Sequence, residues 1–199
     1  MSHPLSTPWS IYAFLNDGEE NGADYESQLK RLGYFVNVED FWRIFSHIQP
    51  ATSFKLGWSI HLFKNGTRAM REDPEHLNGG SYLVRVSKKL SSYYWEKLVL
   101  AMIGGQLRTS VIGAILSSKP KYDNISIWHQ DIGNSDEERK ALCEEFSNIL
   151  GLPVGIRVDY TSHESVISKS PESRKNAVHY TLKEENTVLK AIPLTVLDK

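Results

Sequence analysis

Apolar positions in this chain change period several times, and each change marks an element. From Trp9 to Leu15 the run WSIYAFL is aromatic, β-branched and of strand length, after an irregular arm over residues 1–8 that contains Pro4 and Pro8. Asn16 to Asp24, NDGEENGAD, has no apolar face and reads as a polar loop that delivers Tyr25. A helical period begins after Asn37, which can cap a helix with Asp40 at its third position. Phe41, Ile44, Phe45 and Ile48 then form one stripe that ends before Pro50. Trp42 falls about 100° around from Phe41 at helical pitch, on the flank of that stripe near Val38, where partial exposure is expected.

Short strand-like segments follow at Ser59–Phe63, Ser81–Val86, Ser110–Leu116 and Ile125–Trp128, with turn formers such as Asn65-Gly66 and Gly79-Gly80 between them. Ser91–Ile103 is apolar on most faces and stops at Gly104-Gly105, which predicts a largely buried helix. Ser135 and Glu138 make a capping box for a third helix with the stripe Leu142, Phe146, Ile149 and a stop at Gly151. Val154–Tyr160 and Ala177–Leu182 read as late strands. Strands in number with three helices, and no regular βαβ alternation, predict an α+β fold with helices on one face of an antiparallel sheet. Residues 1–182 are expected to form the domain. Residues 183–199 read as a C-terminal extension, in which Val188, Leu189 and Ile192 suit a docking element and Pro193 limits any helix; a flexible terminus is expected.

Composition narrows the function classes. The 199 residues carry 23 Lys and Arg against 24 Asp and Glu, a net charge of −1, so the whole-molecule field cannot hold a polyanion and any phosphate site must be local. No apolar run approaches the roughly 18 residues needed to cross a bilayer, and the start MSHPLSTPWS is unlike a signal peptide, so a cytoplasmic protein is expected. The single Cys143 excludes an intrachain disulfide and, flanked by Glu144 and Glu145, should be an inert thiol. Phosphate-loop, dinucleotide-fold, nucleophile-elbow and HExxH signatures are absent, and the seven histidines lack metal-ligand spacing, so no metal, no cofactor and no enzyme chemistry is expected. Five tryptophans, nine tyrosines and the local signals Arg71-Glu72-Asp73-Pro74 and Lys119-Pro120-Lys121 suit a nucleotide binder. The plainer alternative makes the aromatics core and the charged loops solvated.

The runs VEDFWRIFSHIQP (Val38–Pro50), LFKNG (Leu62–Gly66), MREDP (Met70–Pro74), NGGSYLV (Asn78–Val84), YWEKLVLAMIG (Tyr94–Gly104) and ISIWH (Ile125–His129) resemble, in order and spacing, the messenger-RNA cap-binding translation initiation factor 4E family. The resemblance extends from His3 to about Val178. It implies a curved antiparallel sheet of about eight strands with three helices on its convex face, and a cap site in the concave face. In that family two tryptophans sandwich the 7-methylguanine, a glutamate reads its Watson–Crick edge and cations take the phosphates. N7 methylation makes the base cationic, so aromatic faces attract it.

By this resemblance the cap-binding positions are Tyr25, Arg71, Glu72, Lys119, Lys121 and Trp128. Tyr25 stands where the first stacking tryptophan is expected, and Glu72 matches the guanine-reading glutamate. Lys119 and Lys121 match phosphate ligands, with a third cation replaced by Asn124, and Trp128 matches the tryptophan at the methyl group. Arg71 replaces the second stacking tryptophan; its fixed charge opposes a cationic base, and Trp58, which also fits a core role, is the aromatic that could fill the slot. His3, Pro4, Val38 and Trp42 match the dorsal surface that docks a scaffolding initiation factor or a repressor peptide. The family's leucine–glutamate pair on that surface falls on Glu96 and Lys97, which implies an altered partner. The implied function is binding of the 7-methylguanosine cap of mRNA and bridging it to a scaffolding factor in translation initiation. The alternative is a protein–protein adaptor or translational repressor of the same fold with weak or lost cap binding.

Overall fold

The computed structural model describes residues 2–15, 28–67, 70–71, 76–131, 135–168, 177–185 and 188–194. Nine strands are formed among them: β1 (Pro4–Phe14), β2 (Leu29–Asn37), β3 (Ser59–Lys64), β4 (Gly80–Val86), β5 (Val111–Ser118), β6 (Asp123–His129), β7 (Arg157–Ser162), β8 (Val178–Glu185) and β9 (Val188–Pro193). Three main helices, α1 (Val38–Phe45), α2 (Ser91–Ile103) and α3 (Asp136–Leu150), are joined by the short α4 (His163–Ile167). The strand order is β2-β1-β3-β5-β6-β4-β7-β8-β9 in one antiparallel sheet, so the expected α+β class holds with one strand more than the eight anticipated. No helix among the described residues is long and apolar enough to cross a membrane.

Contacts group the chain into two compact units. The first comprises Met1–Ala69, Val86–Gln106 and Gly113–Ile125. Its core is Ile11, Phe35, Phe41, Ile60, Leu62, Phe63, Leu98 and Leu116, all buried. Asn37 caps α1 by accepting the Asp40 N–H at 2.7 Å, as the sequence predicts, but the helix ends at Phe45. His47 and Ile48 donate three residues back to the Ile44 and Phe45 carbonyls, so Ile48 belongs to a tighter turn instead of the helical stripe. Strand β1 starts at Pro4, earlier than the sequence indicates, because Val38 N–H donates to the His3 carbonyl at 2.9 Å and Pro4 pairs with Asn37. The arm is thereby made part of the sheet. Strand β2 has no counterpart in the sequence reading: it is the outermost strand, Leu32, Tyr34 and Val36 are exposed and only Phe35 is buried, so the usual alternation of burial is blurred. α1 lies against it at Gly33, where a Cβ would meet the Ile44 side chain at 2.4 Å.

The second unit comprises Met70–Arg85, Leu107–Ile112 and Ser126–Lys199. Ser135 Oγ accepts the Glu138 N–H at 3.1 Å and Gly151 closes α3 in the left-handed region (φ 66), both as read from the sequence. The Glu138 carboxylate serves Arg108 instead, at 2.9 Å, alongside Glu145, which takes both the Arg108 backbone N–H and its Nε at 2.7 Å. Within the segment expected to be a flexible terminus, Lys183–Glu185 complete β8, and Val188–Pro193 form β9, which docks on α3. Asn148 brackets Leu189 with two hydrogen bonds, 2.9 and 3.0 Å, and Glu144 accepts the Ala191 N–H at 3.1 Å. Val188, Leu189 and Ile192 are thus strand residues. The late strand expected from Val154 begins at Arg157, because Val154-Gly155 turns at a left-handed Gly155 (φ 81).

Candidate functional site

In the second unit the end of β6 divides its side chains between two faces. His129 points toward α3, its ring 5.6 Å from Tyr82 and stacked on Tyr160 at 5.8 Å, while the Tyr82 hydroxyl donates to the Arg139 carbonyl of α3 at 2.8 Å. By strand alternation Trp128 points the other way. There the Arg71 guanidinium lies 4.9 Å from the Trp128 ring centroid, within cation–π range, and the His163 ring lies 4.6 Å from it. Trp128 is 3% exposed.

Three histidines back this aromatic site, and each proton is placed by a carbonyl. His76 Nδ1 donates to Met70 O (2.8 Å), His163 Nδ1 to His76 O (2.9 Å) and His129 Nδ1 to Gln130 O (2.5 Å). Each Nε2 is buried without a hydrogen-bond partner among the described residues. Burial holds the His163 ring at about 4, helped by the Arg71 charge and opposed by its hydrogen bond to His76 O; burial also lowers His129. Through these Nδ1 donors the three rings fix the backbone beneath Trp128. Gly79 completes the packing, since a Cβ there would meet the His129 carbonyl oxygen at 2.1 Å. The sequence carries no signal for this cluster beyond the presence of His163 after a strand, and shows only that these histidines lack metal-ligand spacing.

Tyr25 and Glu72 lie outside the described residues. The ends of the segment that holds Glu72 are fixed by the Met70–His76 hydrogen bond. In the first unit Lys119 and Lys121 are exposed on the β5–β6 loop, with Lys121 Nζ 5.4 Å from the Tyr122 ring centroid. The loop is anchored at its base by Lys88, whose Nζ donates to Ser118 Oγ at 3.0 Å and to the buried Asp123 at 2.7 Å. Trp58 is half-buried, with Lys55 Nζ 5.1 Å from its ring centroid, and lines an apolar groove of about 520 Å³ with Ile44, Ile48 and Phe54.

The helical surface of the first unit brings the second group of sequence-derived residues together. His3 Nδ1 meets Glu39 at 2.6 Å, and that pairing holds the exposed Glu39 carboxyl at about 2. Trp42 is 42% exposed, in agreement with its flank position, and with Phe45, Trp95 and Glu96 it lines a groove of about 240 Å³. Lys97 is half-buried with its Nζ 5.8 Å from the exposed Tyr93 ring. Cys143 is buried, and burial first, then Glu144, pushes its thiol up to about 12 against the lowering effect of Ser147, which makes it unreactive.

The family model described as eukaryotic initiation factor 4E matches residues 4–178. Curated relatives include eukaryotic translation initiation factor 4E of Bos taurus, 31% identical over 183 residues that cover 88% of this chain and 82% of that protein. Another is eukaryotic translation initiation factor NCBP of Arabidopsis thaliana, 29% identical over 174 residues, covering 86% of this chain and 78% of that one. Among solved structures, C. elegans eIF4E-3 in complex with the 4E-binding protein Mextli and a cap analog superposes with a TM-score of 0.77 at 29% identity, covering 86% of this chain and 98% of that one. Ascaris suum eIF4E-3 in complex with the m2,2,7G cap gives 0.74 at 31% identity, covering 82% and 92%.

Proposed function

Since the chain belongs to the eukaryotic initiation factor 4E family, we propose that it binds the 7-methylguanosine cap of mRNA and couples it to a scaffolding protein in translation initiation in the cytoplasm, without catalysing a reaction. The relatives solved with cap ligands and with a 4E-binding protein support both halves of this reading. The observation that carries it in this chain is the planar cation 4.9 Å from Trp128: the ring face accepts a delocalised positive charge, the property that distinguishes 7-methylguanine from guanine. Glu72 has the two acceptors that the guanine N1–H and N2–H require. Lys119 and Lys121 provide exposed positive charge for the phosphates. The dorsal half rests on Trp42, Val38, His3 and Pro4, with Glu96 and Lys97 setting the choice of partner.

A second reading, an adaptor or repressor with weak cap binding, is favoured by the same contact, because Arg71 already occupies the aromatic face. Calorimetric titration with 7-methyl-GTP and with GTP separates the two. Heat that saturates with the methylated nucleotide supports cap reading; no saturable heat with either nucleotide leaves the adaptor.

A further inference from the structure

The face of the second unit that carries Trp128 continues along β7 and β8 into a basic cluster. Tyr160 and Val158 of β7 are buried on the α3 side, so Arg157 and Asp159 lie on the opposite face, the one Trp128 occupies. Cross-strand register places His179 opposite Asp159 and Thr181 opposite Arg157, and Lys183 follows on the same face of β8. Asp159 organises the group: it accepts Arg85 Nη1 at 2.6 Å, Arg157 Nε at 2.5 Å and His179 Nδ1 at 2.8 Å. Burial raises the Asp159 pKa, but these three donors outweigh it and hold the carboxyl low. The carboxylate side chain is 12% exposed, whereas both arginine side chains are 50% exposed. One buried negative charge therefore holds two half-exposed guanidinium groups in place, Arg157 also directing its Nη2 at the His179 ring at 2.8 Å, and exposed Lys183 adds a third cation before β8 ends in Glu184 and Glu185.

We infer that Arg85, Arg157 and Lys183 form a phosphate-binding strip for the RNA nucleotides that follow the cap. The inference rests on the cap-binding reading for what occupies Trp128. The guanidinium groups are fixed by Asp159 and half-exposed, so their remaining N–H groups can donate to phosphodiester oxygens, and the strip shares its sheet face with the aromatic site. Strand β7 runs from Ser162, next to His163 under Trp128, to Arg157, a length of about 17 Å that an extended single strand covers in a few nucleotides. An acidic peptide would use the same charges, but nothing would tie it to the aromatic end of the face.

The test compares 7-methyl-GTP, a capped RNA of about eight nucleotides and the same RNA uncapped, each titrated at several salt concentrations. The wild-type chain is expected to bind the capped RNA several-fold more tightly than 7-methyl-GTP. The double variant Arg85→Gln/Arg157→Gln should lose that gain, keep its 7-methyl-GTP affinity and show a salt slope smaller by about 0.7 for each phosphate contact removed. Arg85→Lys/Arg157→Lys, which keeps the charges around Asp159, should retain most of the gain. Lys183→Gln, outside the Asp159 network, should lower the slope if the double variant is too unstable to measure. An RNA gain that persists in the Gln variants, or that falls only together with 7-methyl-GTP affinity, overturns the strip. Displacement of the uncapped RNA by a polyglutamate peptide of equal charge, at equal concentration, also overturns it. If 7-methyl-GTP fails to bind the wild type, the cap reading falls separately; the strip then stands if uncapped RNA binds in a manner that the Gln variants abolish, and falls if it does not bind.

Discussion

Arg71 lies with its guanidinium 4.9 Å from the centroid of Trp128, so the aromatic face suited to a cationic base is covered by a cation from the chain itself. A ligand carrying positive charge must displace that side chain or stack with it against a like charge. Neutral guanine meets no such opposition. Discrimination between methylated and unmethylated nucleotide should therefore be compressed relative to a slot built of two neutral aromatic rings.

Arg71→Trp removes the repulsion and supplies a second π face. We expect the preference for 7-methyl-GTP over GTP to widen by about 0.5–2 kcal/mol, the worth of one cation–π contact. Competition binding of the two nucleotides to wild type and variant checks this. A narrowed preference would mean that Arg71 is itself a ligand group, for example to phosphate.

Trp42 is exposed enough to be replaced without loss of fold. Trp42→Ala should weaken binding of an amphipathic helical peptide of the 4E-binding type by about 2 kcal/mol or more while leaving the thermal midpoint nearly unchanged. Lys97→Glu should improve the affinity of a peptide that presents a basic residue at that position. Peptide titration with a parallel melting curve measures both, and equal affinity in wild type and Trp42→Ala would remove the dorsal site.

The α+β class, the three main helices, the N-caps Asn37 and Ser135, and the exposure of Trp42 are legible from residue periodicity and capping chemistry alone. Strand β2 was not, because an outermost strand that buries only Phe35 lacks clear alternation. Strand β9 was missed for a related reason: it is held by Asn148 and Glu144 of α3, contacts between residues about 40 positions apart that no local pattern encodes. At the site, motif spacing pointed to Arg71 and Trp128, and the structure brings them into contact. The supporting histidines were invisible, since the hydrogen bond from His163 to His76 O depends on how the strands are brought together.

Buried neutral histidines set an acid limit on stability. Burial holds His61 and His163 at about 4, below the ordinary value of 6.5. Between pH 6.5 and 4 the unfolded chain binds protons that the folded chain does not, so stability is fully present above about pH 6.5 and falls as pH drops toward 4. Each ring can contribute up to about 3 kcal/mol over that window. Urea midpoints should fall from pH 7 to pH 5, and less so in His163→Gln once its lower starting stability is taken into account. A flat profile over that range would contradict the assignment.

Gly79→Ala places a Cβ 2.1 Å from the His129 carbonyl oxygen, a backbone atom with little room to yield. A stability loss of about 1–3 kcal/mol is expected, seen as a lower denaturation midpoint. An unchanged midpoint would show that the β4 entry is looser than the packing implies.

The most direct measurement is a crystal structure of the chain with 7-methyl-GTP. The account predicts the methylated base against Trp128, its Watson–Crick edge on Glu72, and the Arg71 guanidinium moved off the indole face. Nucleotide absent from Trp128 under saturating conditions, with Arg71 still covering the ring, would contradict it.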